Sequence, residues 1–216
     1  ITVGTHALIS KSIDFHDLGL VIIDEQHRFG TNQRMKLAKK DGHAPHYLSM
    51  TATPIPRTLA LTIYGDLDIS VLDTMPSGRK PVLTELVSPD KRETSYDRMR
   101  TELESGRQAY IICPRISDPD PDEEQKLQLR SVTAEAKRLQ EKVFPDYTIG
   151  IMHSKMTKQK KEEVMQEFAN HEIDILVSTS VIEVGVNVPN ASVMIIEGAE
   201  RFGLSKLHQL RGRVMR

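Results

Sequence analysis

Short apolar runs alternate along this chain with stretches in which apolar residues recur every three or four positions. That rhythm predicts a parallel sheet covered by helices on both faces. Strands are predicted at Leu20–Ile23, as a buried strand, and at His46–Met50. A helix follows from Pro56, a residue suited to a first helical turn, to about Tyr64, where Gly65 stops it. Asp73–Pro81 gathers Pro76, Ser77, Gly78 and Pro81 without apolar periodicity and marks a domain boundary. Alternation resumes with a strand at Val82–Val87, a helix at Arg92–Glu104 and a strand at Gln108–Cys113 closed by Pro114. Further strands are predicted at Thr148–Met152, Ile173–Val177 and Val193–Ile196, and further helices at Val132–Val143, Lys158–Ala169 and Ser205–Arg211. Ser117–Glu124, with three Asp and two Glu among prolines, reads as a solvated loop rather than a metal site.

Composition narrows the class. With 38% hydrophobic and 27% charged residues over 216 positions, the chain is that of a globular protein with one large or two small domains. Lys and Arg number 29 against 30 for Asp and Glu, so any contact with a polyanion must come from local patches. The one cysteine, Cys113, follows Tyr110-Ile111-Ile112 and reads as core rather than nucleophile; it excludes an internal disulfide framework. No apolar run approaches the roughly 18 residues that cross a bilayer, and Ile1-Thr2-Val3-Gly4 lacks the basic start of a signal peptide. A cytoplasmic protein without membrane contact is expected. Lacking an initiator Met and ending at Arg216 without a polar tail, the chain is expected to be cut from a longer one.

Three strings carry candidate chemistry. Val21-Ile22-Ile23-Asp24-Glu25-Gln26-His27 is an apolar strand ending in two carboxylates. At the C-terminal edge of a parallel sheet, such a pair can hold Mg²⁺ and orient water on a nucleotide phosphate; the alternative is a strand running into a polar turn. Thr51-Ala52-Thr53-Pro54 sets hydroxyls at the end of the next strand, with a Thr-rich helix cap as the alternative. In His208-Gln209-Leu210-Arg211-Gly212-Arg213-Val214-Met215-Arg216, Arg213 and Arg216 are spaced to share one helix face and one phosphate cluster. Ordinary compensation of a helix dipole is the alternative there.

In this order and at these separations the strings resemble the acidic box, the Thr-Ala-Thr coupling motif and the arginine motif of superfamily 2 helicases. Asp24-Glu25-Gln26-His27-Arg28-Phe29-Gly30, Thr51 through Leu59 and Ile182-Glu183-Val184-Gly185-Val186 resemble the RecG family, which remodels stalled forks and branched DNA. The transcription-repair coupling translocases are similar, but their acidic box has Glu at the position of Gln26. The resemblance implies an α/β fold of two RecA-like parallel-sheet lobes, the first incomplete: 1–75 as the back half of the first lobe, 76–81 as the linker and 82–216 as the second lobe. It implies ATP and Mg²⁺ as cofactors, branched or duplex DNA as partner, and a monomer. Asp24 and Glu25 would handle Mg²⁺, bound to Asp24 through water, and the attacking water. His27 joins them in the catalytic set, and Arg213 and Arg216 would be arginine fingers, worth roughly three to five orders of magnitude in rate. Gly185 and Asn187 would help hold the nucleotide. Thr51, Ala52, Thr53 and Gln209 would couple nucleotide state to DNA, which Gly4, Thr5, His6, His153, Ser154, Lys155, Ser178 and Thr179 would contact through phosphates. Lys155–Lys161 holds four lysines, equally readable as the solvated start of a helix.

The chain departs from the family pattern at Met215, where a Gly usually precedes the last Arg, at Asn187, where Asp is usual, and at Ser154, where Gly is usual. No Gly-x-x-x-x-Gly-Lys-Ser/Thr phosphate loop occurs in the 216 residues, so the chain by itself is expected not to hydrolyse ATP. The rival from another class is a non-catalytic DNA-binding fragment.

Overall fold

The computed structural model describes residues 1–9, 13, 15–24, 45–51, 68–74, 81–114, 121–179 and 188–214, the side chains of 6, 9 and 121–130 excepted. The chain divides into two compact units, Ile1–Asp68 and Ile69–Arg216. The helix expected at Pro56–Tyr64 lies outside the described residues, as does the linker expected at 76–81 apart from Pro81.

In the first unit, β1 (Leu20–Ile23) and β2 (His46–Ser49) pair in parallel, with Leu20 opposite His46 and Ile23 opposite Ser49. The pairing extends by a bond at each end, His46 N–H to the Gly19 carbonyl at 2.9 Å and Met50 N–H to the Ile23 carbonyl at 2.8 Å. The expectation that β1 is buried holds for one face only. Successive side chains of a pleated strand point to opposite faces, so Val21 and Ile23 are buried while Leu20 and Ile22 are exposed.

The second unit is built on a four-stranded parallel sheet of order β4-β5-β3-β6, comprising β3 (Gln108–Cys113), β4 (Ile149–Met152), β5 (Ile175–Thr179) and β6 (Ala191–Ile196). Among the described residues four α-helices accompany it: α1 (Arg92–Glu104), α2 (Pro121–Lys142), α3 (Lys158–Ala169) and α4 (Leu204–Arg211). The period of two in β3 sorts its side chains into two cores. Ala109, Ile111 and Cys113 pack with Tyr96, Met99 and Leu103 of α1 and with Val132, Ala136 and Leu139 of α2. Tyr110 and Ile112 face the other way, onto Val164, Met165 and Phe168 of α3, Leu210 of α4 and Val214. Both faces being covered, every residue of β3 and β5 is buried, as an inner parallel strand requires.

Local chemistry sets the helix ends. The Thr157 hydroxyl caps α3 by accepting from Lys160 N–H at 3.2 Å. Past α1, Gly106 takes a φ of +77° and its N–H and that of Arg107 bond back to the carbonyls of Leu103 and Glu102, so the last turn closes on a left-handed residue. The chain leaves α3 in the same way, with His171 at φ +66° in the glycine-like position.

Three expectations are corrected. No strand forms at 82–87: Leu83 and Leu86 are 91% and 97% exposed, and residues of high strand propensity form no strand without a partner to pair with. Pro121–Glu124, expected in the acidic loop, is helical, because α2 already begins at Pro121, ahead of the expected Val132. A proline at the first helical position followed by Asp122, Glu123 and Glu124 suits a helix start electrostatically. β5 also lies later than expected, ending on Thr179 rather than Val177. Among the described residues no helix is long and apolar enough to cross a membrane.

Candidate functional site

In a parallel sheet the residues that follow the strands gather on one edge, where ligands of such folds bind. In the first unit, Ile23 lies opposite Ser49, so Asp24 and Thr51 leave the sheet on that same C-terminal edge. Both are exposed. Glu25, His27, Ala52 and Thr53 lie outside the described residues. Gly4 and Thr5 are exposed just ahead of a 3₁₀ turn at His6–Ile9, which begins with a 3.0 Å bond from Leu8 N–H to the Thr5 carbonyl. A β-carbon on Gly4 would come within 2.8 Å of Leu8 Cγ, so this turn favours glycine.

In the second unit, Met152 of β4 pairs with Ser178 of β5, which brings His153, Ser154 and Lys155 beside Ser178 and Thr179 at the C-terminal edge. A tight turn follows β4: Met156 N–H bonds to the His153 carbonyl at 3.2 Å, and His153 N–H to the Met156 sulfur at 3.4 Å. Lys161 Nζ reaches back from α3 to donate to the Ser154 carbonyl at 3.1 Å. Burial, and then the charges of Lys161 and Lys155, hold the His153 imidazole below its ordinary pKa, favouring the neutral ring. Ser178 and Thr179 are buried; the Ser178 hydroxyl donates to the Thr179 carbonyl at 2.6 Å. His153 Nδ1 and Thr179 Oγ1 are both buried without a hydrogen-bond partner among the described residues.

Arg213 departs from the expected placement. α4 ends at Arg211 with Gly212 as its cap, and Arg213 sits in the turn beyond, its N–H bonded to the Leu210 carbonyl at 2.9 Å. Arg213 therefore lies beyond the helix rather than on one of its faces. The physical reason is that the helix hydrogen bonds close at Gly212, whose N–H reaches the His208 carbonyl at 3.1 Å. Arg213 is half-buried, and its charge opposes the burial that pushes the Tyr110 phenol up to about 12. Gln209 is half-buried on α4. Gly185, Asn187 and Arg216 lie outside the described residues.

Sequence reasoning missed a charged network beside β6. Arg92 of α1 pairs with Glu197, which directly follows β6, lies 3.7 Å from Glu135 of α2 and donates from Nε to the Tyr96 hydroxyl at 2.8 Å. Arg138 of α2 donates to the same hydroxyl at 2.5 Å and to both carboxylate oxygens of Glu135, at 2.7 and 3.0 Å. No sequence signal could reveal it, because the partners are up to 105 positions apart, from Arg92 to Glu197. Cys113 lies near these carboxylates, and burial first, then Glu135 and Glu197, push its thiol up to about 12, which suits core rather than chemistry.

A fit to Mg²⁺ can be judged from Asp24. Among the described residues no group of three or more His, Cys, Asp or Glu could hold a metal ion. Mg²⁺ nevertheless needs only one or two carboxylates when waters and phosphates fill its shell, and an exposed carboxylate at a sheet edge fits that demand.

Comparison with known proteins then bears on the whole chain. Residues 90–216 match the model of the helicase conserved C-terminal domain. The chain is 54% identical over 214 residues to the ATP-dependent DNA helicase RecG of Synechocystis sp., covering 99% of this chain and 25% of the relative. It is also 54% identical over 217 residues to the RecG of Aquifex aeolicus, covering 100% of this chain and 26% of that protein. A solved structure of RecG bound to a three-way DNA junction matches with a TM-score of 0.69 and 47% identity, over 99% of this chain and 26% of that one. The chain thus spans about a quarter of the length of these relatives. With its parallel α/β units and more than half its length inside that domain, the chain belongs to the family of the helicase conserved C-terminal domain, and its kinship within it is with the RecG helicases.

Proposed function

We propose that this chain is the motor segment of an ATP-dependent DNA helicase of the RecG type, which remodels branched DNA in recombination and repair. The observation that carries the reading is the kinship with RecG, 54% over nearly the whole chain. The grouping of Asp24 with Thr51 at one sheet edge, and of His153, Ser154 and Lys155 with Ser178 and Thr179 at another, supports it. In this reading 1–75 belongs to the first motor lobe, 76–81 links the lobes and 82–216 is the second. The 216 residues hold no phosphate loop, so turnover belongs to a longer protein, a cytoplasmic monomer that includes this chain.

Within that protein Asp24 would hold Mg²⁺, and the ion when bound would neutralise phosphate charge. Glu25 orients the attacking water, with His27 beside it, while Gly185 and Asn187 contact the nucleotide. Closure of the lobes around ATP lets Arg213, with Arg216, meet the charge that develops on the transferred phosphoryl group. Thr51, Ala52, Thr53 and Gln209 pass the closed or open state to the DNA grips, and repeated closure and opening move the protein along duplex DNA. Gly4, Thr5 and His6 grip the strand from the first lobe; His153, Ser154, Lys155, Ser178 and Thr179 do so from the second. Contacts of this kind hold phosphates and read no sequence.

The test is DNA-stimulated ATP hydrolysis by the full-length protein on a three-way junction. Glu25→Gln is expected to lower turnover by about 10²–10⁴-fold, the range for loss of a group that handles a proton or water. Unimpaired turnover would remove the role given to Glu25, and absence of any junction unwinding by the unaltered protein would remove the helicase reading.

A further inference from the structure

We propose that Glu197, held by Arg92, is a positioning residue that sets the place of Arg213; the inference rests on the finger role given to Arg213 above. Glu197 is where the chain leaves the sheet for α4. Its N–H continues the ladder onto the Ile112 carbonyl at 2.9 Å, and its carboxylate takes the Arg92 guanidinium. The next residue, Gly198, has a φ of +58°, and a β-carbon there would lie 3.3 Å from Pro114 Cγ, so the exit turn favours glycine.

From this anchor a continuous series of bonded turns leads to Arg213. Arg201 N–H bonds to the Gly198 carbonyl at 2.9 Å, Phe202 N–H to Ala199 at 3.1 Å and Leu207 N–H to Gly203 at 3.1 Å; α4 then closes on Gly212. Phe202 packs on the core that holds Leu210 and Val214, and Val214 directly follows Arg213. The turn that carries Arg213 is thereby referenced to the sheet at its start and to the core near its end. Little slack remains for the backbone from which Arg213 projects.

The anchor itself is braced from two helices. Arg92 reaches Glu197, Glu135 and the Tyr96 hydroxyl, and Arg138 reaches Tyr96 and Glu135, so α1, α2 and the exit from β6 share one charge-balanced network. Satisfied networks of this kind rigidify the groups that join them. None of its members needs to touch nucleotide. A finger acts only when its donors sit where charge develops, and a displacement of about 1 Å can cost about 10²-fold in rate.

The experiment is a double-mutant cycle in the full-length protein, read as single-turnover, DNA-stimulated ATP hydrolysis. Arg213→Ala is expected to slow the reaction by about 10³-fold or more. Glu197→Gln, which keeps shape and loses charge, is expected to slow it by about tenfold with the ATP KM changed less than about twofold. Combined, the two should be no slower than Arg213→Ala alone, since a group that acts through Arg213 has nothing left to position. A change that merely loosens the fold would instead multiply in both backgrounds. Slowing that multiplies, or a Glu197→Gln protein at full rate, overturns the positioning role while leaving the finger role intact. Arg213→Ala at full rate removes the finger role and the inference with it. Arg92→Lys keeps the cation but cannot reach Glu197 and Tyr96 together; it serves in place of Glu197→Gln if that variant does not fold, with the same outcomes expected.

Discussion

Thr179 poses the sharpest conflict between packing and function in this molecule. It is 2% exposed at the end of β5, and its hydroxyl has no hydrogen-bond partner among the described residues. A buried hydroxyl without a partner costs about 1–3 kcal/mol. Thr179→Val removes that cost and sets a methyl in place of the oxygen, so a gain of about 1 kcal/mol is expected, roughly 2–4 °C in Tm for a chain of this size. The proposed function gives this hydroxyl a ligand, a DNA phosphate. A hydrogen bond to a charged group contributes about 1.5–3 kcal/mol, so half-saturation of DNA-stimulated hydrolysis should move to about tenfold higher DNA or beyond. The assays are thermal unfolding of the chain and a DNA titration of ATPase rate in the full-length protein. A lowered Tm would mean that the hydroxyl is satisfied in the fold. A raised Tm with an unchanged DNA titration would show that Thr179 is not a DNA contact.

Two further outcomes follow from the same reasoning. Gln108 is 1% exposed and donates to the carbonyls of Phe168 at 2.6 Å and Ile173 at 2.7 Å, so Gln108→Leu should destabilise by about 2–4 kcal/mol as these lose their donor. A denaturation midpoint unmoved by the change would refute this. His153 is held below its ordinary value of 6.5, so the folded protein binds its proton less readily than the unfolded chain. The stability this contributes is complete above pH 6.5 and is lost as pH falls from there through the lower value of the folded protein, and His153→Gln should flatten the acid limb of a stability–pH curve. An acid limb as steep as before would refute the assignment.

Much of the fold was readable from pattern because it depends on local periodicity. α1, α3 and β3 have the bounds expected from apolar spacing and from Pro114. Cys113 is core, as its apolar neighbours suggest. The motif strings named candidate residues before any geometry was known, because residue type and spacing are properties of the chain. Pairing is different. Val82–Val87 has the composition of a strand and forms none, since a strand exists only through its neighbour. β1 has four apolar residues in a row, yet the packing covers only Val21 and Ile23.

The sequence by itself determined the parallel α/β class, the bounds of α1 and α3 and the identity of the residues grouped at the sheet edges, because these follow from side-chain period and residue type. Only tertiary structure decided that α2 starts as early as Pro121, that the Thr179 hydroxyl is buried without a hydrogen-bond partner among the described residues, and that Arg92, Tyr96, Arg138, Glu135 and Glu197 form one network. Each of those facts depends on which distant segments meet, and Coulomb attraction, hydrogen bonding and burial act over ångströms in space, whatever the distance along the chain.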